Sequence, residues 1–379
     1  MKAFAITNKG TEEICAAEIN ELIKTKTEVK EKIVIFDAGS YEDICKLIYL
    51  GQSISKVALF LGHFQFKDDF FEQLEASIKK SDINNWLHEG LSFKAECIRH
   101  GEHDFSSIDV VPKIGEAILS CSKHSIKVDL KNPDLQIFAF VTGEGCYYGI
   151  DFAGIDLSTR DYKIFSHRES LNGTIAYSLV RLSEWDRKKI LIDPFCGSAT
   201  IPIEASIWQT GFPLNYYRKE KLVFKKMDLG FDQKKFFEDL DNKAKFPKKI
   251  NLFGSDMLLT AVNSSNKNAK IAGIHKGLNL NRIDIDWIDT KFEENSISFM
   301  VTNIPEKTKM SNSKYLDKLY TEFWFQADYI MKKKDVVIVI ACNTVEDMQK
   351  DAEKFKFKLE GQYDFWQGKE KIVVSKFVR

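Results

Sequence analysis

The chain has 379 residues, 44% of them hydrophobic and 29% charged, a globular composition too long for one ordinary core, so two or three domains are expected. Lysine plus arginine and aspartate plus glutamate balance at 55 each. No global field is there to hold a polyanion, and any nucleic-acid contact must come from a local basic patch.

Seven scattered cysteines, odd in number and without CxxC spacing, argue for reduced thiols and a cytoplasmic home. The opening MKAFAITNKGTEEICAAEI has no long apolar run, so no signal peptide is expected. The longest apolar run, VVIVIAC, is strand-sized, which leaves no bilayer span to expect.

In chain order, KAFAIT and the amphipathic NKGTEEICAAEINELI predict a strand, a turn and a helix, and KIVIFDA a second strand. SYEDICKLIYLGQSISKVALFL reads as one long helix, with Ser40 or Tyr41 near its cap and Ile44, Leu47 and Leu50 on one face. DDFFEQLEASIKKSDINNWL predicts a helix, LSFKAECIRHGEHDF a strand turning at Gly101, and SIDVVPKIGEAILSCSKHS another helix. LQIFAFVTGEGCYYGIDFAG predicts a hairpin about TGEG. This first third is α+β in texture, and IDLSTRDYKIFSHRESLNGT reads as a linker. From TIAYSLVRLSEW onward, helices alternate with the short apolar strands ILIDPF, NLFGSD, ISFMVTN and VVIVIAC, the pattern of a mostly parallel α/β sheet. A Lys/Phe-rich block at about 213–250 looks like a helical insert.

Ligands of open α/β sheets sit beyond the carboxyl ends of the strands. ILID ends at Asp193, Gly197 and Ser198 lie where the chain must bend sharply, and TIPIEASI starts a helix with Pro202 in its first turn. A helix N-terminus offers free N–H groups to a carboxylate. GxxxxGK[ST] and GxGxxG are both absent, which excludes a P-loop and a dinucleotide fingerprint. Asp256 ends the next strand, where an acid accepts ribose hydroxyls, and Asp284 in LNLNRIDID falls near a base edge. Carboxylate, ribose and adenine are the parts of S-adenosyl-L-methionine. One acid alone is more simply a turn residue; three at successive strand tips favour the cofactor.

IDPFCGSATIPIEAS, FGSDMLLTAVNSSNKNAKIAG and TNIPEKTK resemble segments of the THUMP-domain RNA guanosine-N2 methyltransferases, archaeal tRNA type. FKAECIRHGEHDFSSIDVVPKIGEAI and VDLKNPDLQIFAFVTGEGCYYGIDFAG resemble their THUMP domain. The resemblance covers nearly the whole chain except 216–249. It implies a ferredoxin-like domain (1–65), a THUMP domain (66–152), a linker (153–171) and a Rossmann-like class I methyltransferase domain (172–379). It also implies that Asp193, Phe195, Cys196, Gly197 and Ser198 wrap the methionine end of the cofactor. Asp256 and the adjacent Met257 would hold the ribose side and Asp284 the adenine amine, while Asn172 and Thr174 close the pocket from the linker. Gly173 stands where the family pattern expects proline and Ala199 where it expects glycine. The alanine is a mild change at negative φ and a costly one at positive φ.

Methylating an exocyclic guanine amine needs orientation more than a strong base, because its lone pair is delocalised. The family pattern is Asn (or Asp), X, Pro and an aromatic that stacks the extruded base. Asn303 and Pro305 match, and Glu306 replaces the aromatic. Three readings compete: Tyr315 or Trp287 supplies the stack, Glu306 bonds the guanine edge, or catalysis is weak or lost and an RNA-binding protein remains. Activity on tRNA ranks first. A ribosomal RNA substrate is a further alternative, and the THUMP-like front argues against a DNA or protein amine substrate. Lys94, Arg99, His100 and His103, with Arg160, Lys163 and YYRKEK of the insert, form a candidate phosphate track. His100 and His103 lack a convincing third ligand, so no metal is assigned. A monomer without obligate protein partner is expected.

Overall fold

The computed structural model describes residues 1–143, 145–166, 170–307 and 313–379. Residues 167–169 of the expected linker, Glu144 of the TGEG turn and residues 308–310 of TNIPEKTKM lie outside the described residues. The front half contains β1 (Lys2–Thr7), α1 (Glu12–Ile23), β2 (Thr27–Lys30), β3 (Ile33–Asp37), α2 (Tyr41–Leu50) and β4 (Ile54–Gln65). It continues with α3 (Phe70–Lys80), β5 (Ser92–Arg99), α4 (Ser107–Cys121), β6 (Lys127–Val128), β7 (Leu135–Val141) and β8 (Gly145–Asp151). These eight strands form one sheet of order β2-β3-β1-β4-β8-β7-β5-β6. Its pairs are antiparallel except β5 with β6 and with β7.

The long helix expected over SYEDICKLIYLGQSISKVALFL is a helix followed by a strand. Ser40 starts α2 with a capping box to Asp43, and Gly51 ends it with its N–H on the Leu47 carbonyl at 2.8 Å. Beyond Gly51, β4 pairs with both β1 and β8. Tertiary pairing on both edges of β4, whose residues 56–59 are buried in succession, overrides the helical periodicity.

The C-terminal half contains α5 (Gly173–Leu182), β9 (Leu191–Asp193), α6 (Thr200–Thr210), α7 (Gln233–Asp241), β10 (Leu252–Asp256) and α8 (Leu259–Ile271). Then follow β11 (Asn279–Arg282), β12 (Phe299–Asn303), α9 (Ser313–Ile330), β13 (Val337–Ala341), α10 (Val345–Lys354), β14 (Lys358–Gln367) and β15 (Glu370–Val378). The sheet order is β11-β10-β9-β12-β13-β15-β14: the first five strands are parallel, β15 runs antiparallel to its neighbours β13 and β14, and β14 again runs with the first five. This is the Rossmann-like layout, with helices on both faces. Strand alternation explains the two cores: Leu191, Val301 and Val339 pack toward α5 and α6, and Ile192, Met300 and Ile338 toward Phe323 and Trp324 of α9. The chain order reverses beside β9, so the crevice falls between the tips of β9 and β12, at Asp193 and Asn303.

The insert is a strap across the two halves. Leu222, Phe224, Phe236, Phe237 and Leu240 belong to the front core, and Val223 and Phe224 donate backbone bonds to Ala153 and Phe152. Each fully buried phenylalanine is worth roughly 1.5–3 kcal/mol, so the strap is not easily peeled away.

Candidate functional site

The short β9 ends in Asp193 because the next residue is proline, which cannot extend the ladder. The bend that follows has two residues in the left-handed region within three positions, Gly197 at φ 52° and Ala199 at φ 65°. Glycine takes this conformation freely; alanine pays about 1–2 kcal/mol. The costly case for Ala199 therefore holds. Its methyl is fully buried, which offsets part of the strain. The bend is pinned from α8: Ser265 donates to the Gly197 carbonyl at 2.7 Å and Asn268 to the Ser198 carbonyl at 3.1 Å. From β10, the Asp256 carboxylate accepts from the Gly197 N–H at 3.1 Å and the Leu258 N–H at 2.8 Å.

Asp193 is 1% exposed. Burial pushes its carboxyl up to about 7, against the opposing pull of the Thr302 hydroxyl at 2.6 Å and the Phe195 N–H at 3.2 Å, while Asp256 raises it further. A buried carboxyl held in this way is ready to ionise against an incoming ammonium.

The cleft above the bend encloses about 920 Å³ of empty space, its solvent-open mouth included. Its floor is Asp193, Phe195, Cys196, Gly197 and Ser198; one end carries Asp256, Met257 and Asp284; Asn303 and Pro305 form the opposite lip. All ten of these sequence-derived residues line one cavity. The donor set suits the methyl donor: free N–H groups at the start of α6 for a carboxylate, Asp193 for a cation, Asp256 for vicinal hydroxyls, Asp284 for an amine and apolar Met257 and Ile285 for ring faces.

Other expectations require correction. Asn172 and Thr174 are not among the lining residues. The linker contributes Ser170 and Leu171, and the Ser170 hydroxyl lies 3.2 Å from that of Ser198 and 3.1 Å from that of Thr200. Ser170 has no motif to mark it, since only the folding of the linker over α6 brings it there. The Glu306 carboxylate is turned to residue 343, accepting from the Asn343 backbone at 2.7 Å and its side chain at 3.3 Å, and Glu306 does not line the cleft. Trp287 is 66% exposed and is likewise absent from the lining. Tyr315 does line it, with its hydroxyl 3.7 Å from the Met257 sulfur, at the Asp284 end.

The phosphate track breaks up. Arg160 is 6% exposed and paired with Glu204 at 2.7 Å, so it is not a surface cation. The Lys163 ammonium donates to the Leu171 carbonyl at 2.6 Å. In YYRKEK, Arg218 is buried with its guanidinium on the Thr159 and Asp156 carbonyls, Lys219 pairs with Asp241 and Lys221 with Asp161. His100 bonds Glu31 at 2.6 Å. Lys94 is half-buried on β5. Arg99 lies over the Phe105 ring, and His103 packs in a triangle with Phe66 and Phe105, its Nε2 3.0 Å from the Thr142 carbonyl. Among the described residues no group of three His, Cys, Asp or Glu could hold a metal, and no helix is long and apolar enough to cross a membrane.

Residues 160–365 match the family model of the RMKL-like methyltransferase domain, and residues 69–151 match that of the THUMP domain. The tRNA (guanine(6)-N2)-methyltransferase of Methanocaldococcus jannaschii is 31% identical over 362 residues, covering 93% of each chain. The ribosomal RNA large subunit methyltransferase K/L of Aliivibrio salmonicida is 26% identical, but the match covers 85% of this chain and only 46% of that one. The SAH-bound crystal structure of SMU.472 superposes with a TM-score of 0.81 at 19% identity, over 100% of this chain and 97% of that one, which shows the shared fold.

Proposed function

The chain belongs to the RMKL-like methyltransferase family and carries a THUMP domain, and from that premise we propose that it methylates N2 of a guanosine in the tRNA acceptor stem, using S-adenosyl-L-methionine. The observation that carries this reading is that Asn303 and Pro305 border the same cleft as Asp193, Gly197, Asp256 and Asp284. The match along 93% of an archaeal tRNA enzyme, against 46% of a ribosomal RNA enzyme, favours tRNA as substrate.

When bound, the donor supplies a methyl group on a sulfonium, already a good leaving group. The α6 N-terminus and Ser198 would hold its carboxylate, Asp193 its ammonium, Asp256 its ribose and Asp284 its adenine amine, with Phe195, Cys196 and Met257 as walls. Asn303 accepts one N–H of the guanine amine through its side-chain oxygen. The Ile304 carbonyl, next along the chain from Asn303, is the main-chain acceptor proposed for the second N–H, while the Pro305 carbonyl accepts from the Tyr320 hydroxyl at 2.8 Å. Two acceptors fix the amine and turn its lone pair toward the methyl group, which is catalysis by orientation. The Pro305 ring supplies the apolar face beside Asn303 that Glu306 does not. Tyr315 covers the adenosine end. Paired stem guanines must be extruded to reach this cleft. Lys94, Arg99 and His103 are the proposed RNA contacts of the front half.

The test is incubation with labelled donor and unmodified tRNA, followed by nucleoside analysis. N2-methylguanosine is the expected product. Donor binding by calorimetry with no methylated guanosine would favour an RNA-binding protein without turnover.

A further inference from the structure

Helix α6 begins at the cofactor bend, and one turn along it Glu204 is buried. Its carboxylate collects partners from separate parts of the chain. Gln52, in the front half between α2 and β4, donates from Nε2 to the Glu204 Oε2 at 2.7 Å and to its main-chain oxygen at 3.0 Å. Arg160 from the linker donates from Nε to Oε1 at 2.7 Å, and its Nη2 reaches back to the Gln52 carbonyl at 2.6 Å. Tyr162 donates its hydroxyl to Oε1 at 2.6 Å. The backbone on the front side is also held: Glu18 of α1 accepts from the Gln52 N–H at 2.8 Å and the Ser53 N–H at 2.9 Å.

Every polar group of this cluster that faces another domain has a directed, water-excluded partner. Such a network has one low-energy arrangement, because sliding either half breaks several buried bonds at once. It also touches the methyl-donor site on two sides. Thr200 and Ile201, in the first turn of α6, line the cleft, and so do Ser170 and Leu171, which precede α5. At the start of α5, a Cβ on Gly173 would stand 2.4 Å from the Arg160 Nε and 2.6 Å from the Glu204 Oε1. The space a proline ring would take there is filled by the ion pair.

We propose that the Gln52–Arg160–Glu204–Tyr162 cluster is a latch that fixes the span between the RNA-binding front half and the methyl-donor cleft, and thereby selects which nucleotide receives the methyl group. This rests on the tRNA methylation proposed above. Gln52 is a positioning residue: it touches neither donor nor base in this reading, and it sets where on the RNA the cleft falls.

The experiment uses the full chain. Gln52→Leu removes the Gln52 side-chain bonds to Glu204 and leaves the Arg160–Glu204 pair and the Arg160 bond to the residue-52 carbonyl. Tyr162→Phe removes one buried bond on the methyltransferase side and leaves the crossing bonds. Donor affinity, KM and kcat on an unmodified tRNA transcript, and the position of N2-methylguanosine by nuclease mapping are measured for each. Gln52→Leu is expected to keep donor affinity within about twofold, to lower kcat at least tenfold and to spread methylation onto neighbouring guanosines, and Tyr162→Phe to keep a single position. A Gln52→Leu protein that methylates the same single position at the wild-type kcat overturns the proposal, and so does equal spreading in both variants. Should Gln52→Leu fail to fold, spin labels at Lys67→Cys and Lys350→Cys are compared in the wild type and in Gln52→Asn, whose shorter side chain loses the Glu204 bonds: a distance distribution broader in Gln52→Asn supports the latch and an equal width overturns it. If the wild type makes no N2-methylguanosine, it is the functional reading that fails, and the spin-label distances still judge the latch.

Discussion

Asp193→Asn probes the buried carboxyl under the cleft. Its folded-state value of about 7 lies above the ordinary 3.8. The folded protein therefore prefers the protonated acid. The sign follows: the stability that Asp193 contributes is fully present below pH 3.8 and is lost as pH rises to 7. At ~1.4 kcal/mol per pH unit, the full loss is about 4 kcal/mol at pH 8, and roughly a third of it has occurred by pH 5. Asparagine keeps an oxygen to accept from Thr302 and the Phe195 N–H, and it does not titrate. Urea unfolding should show Asp193→Asn more stable than wild type at pH 8, with an advantage about 3 kcal/mol smaller at pH 5. The same change should weaken donor binding at pH 8 at least tenfold, because an amide cannot neutralise the ammonium. In the wild type, donor affinity should fall up to about tenfold for each pH unit below 7, since binding must then expel a proton. Equal stability differences at both pH values, with donor binding unchanged, would refute the reasoning that ties this acid to a cation.

Asn303→Ala is expected to lower methyl transfer by about 10²–10³-fold, the scale for loss of one positioned polar group, with donor affinity unchanged by calorimetry. Ala199→Gly should stay within about 1 kcal/mol of wild type in urea, because relief of left-handed strain is offset by the lost buried methyl and the freer backbone; Ala199→Val should cost more than that and weaken donor binding. Gly173→Ala forces a methyl against the Arg160–Glu204 pair and should destabilise by about 1–3 kcal/mol, read by the urea midpoint. Glu306→Tyr should raise kcat/KM on tRNA, since base stacking on an aromatic is worth about 1–3 kcal/mol and exceeds the loss of the two exposed bonds to Asn343; an unchanged or lower value would count against any stacking deficit.

Local patterns in this chain carried local structure. The run ILIDPFCGSATIP announced strand, bend and helix, because a buried strand, a proline, a glycine and a helix start each leave their own residue type in order. The acids at successive strand tips, Asp193, Asp256 and Asp284, converge on one cavity because parallel strands all present their carboxyl ends to the same edge. Over SYEDICKLIYLGQSISKVALFL the same approach failed, since helix and strand periodicities overlap in a short apolar stretch and only pairing with β1 and β8 decides between them. The cations fared worst. A lysine or arginine looks the same in sequence whether it faces phosphate or a buried carboxylate, and Glu204, lying 44 positions from Arg160, is brought to it only by the fold. Likewise Ser170 reached the cleft, and Glu306 left it for Asn343, through contacts between distant segments. Residue order along one strand and its turn can be written in a dozen letters; which distant groups share one dry pocket is set by how the layers close upon each other.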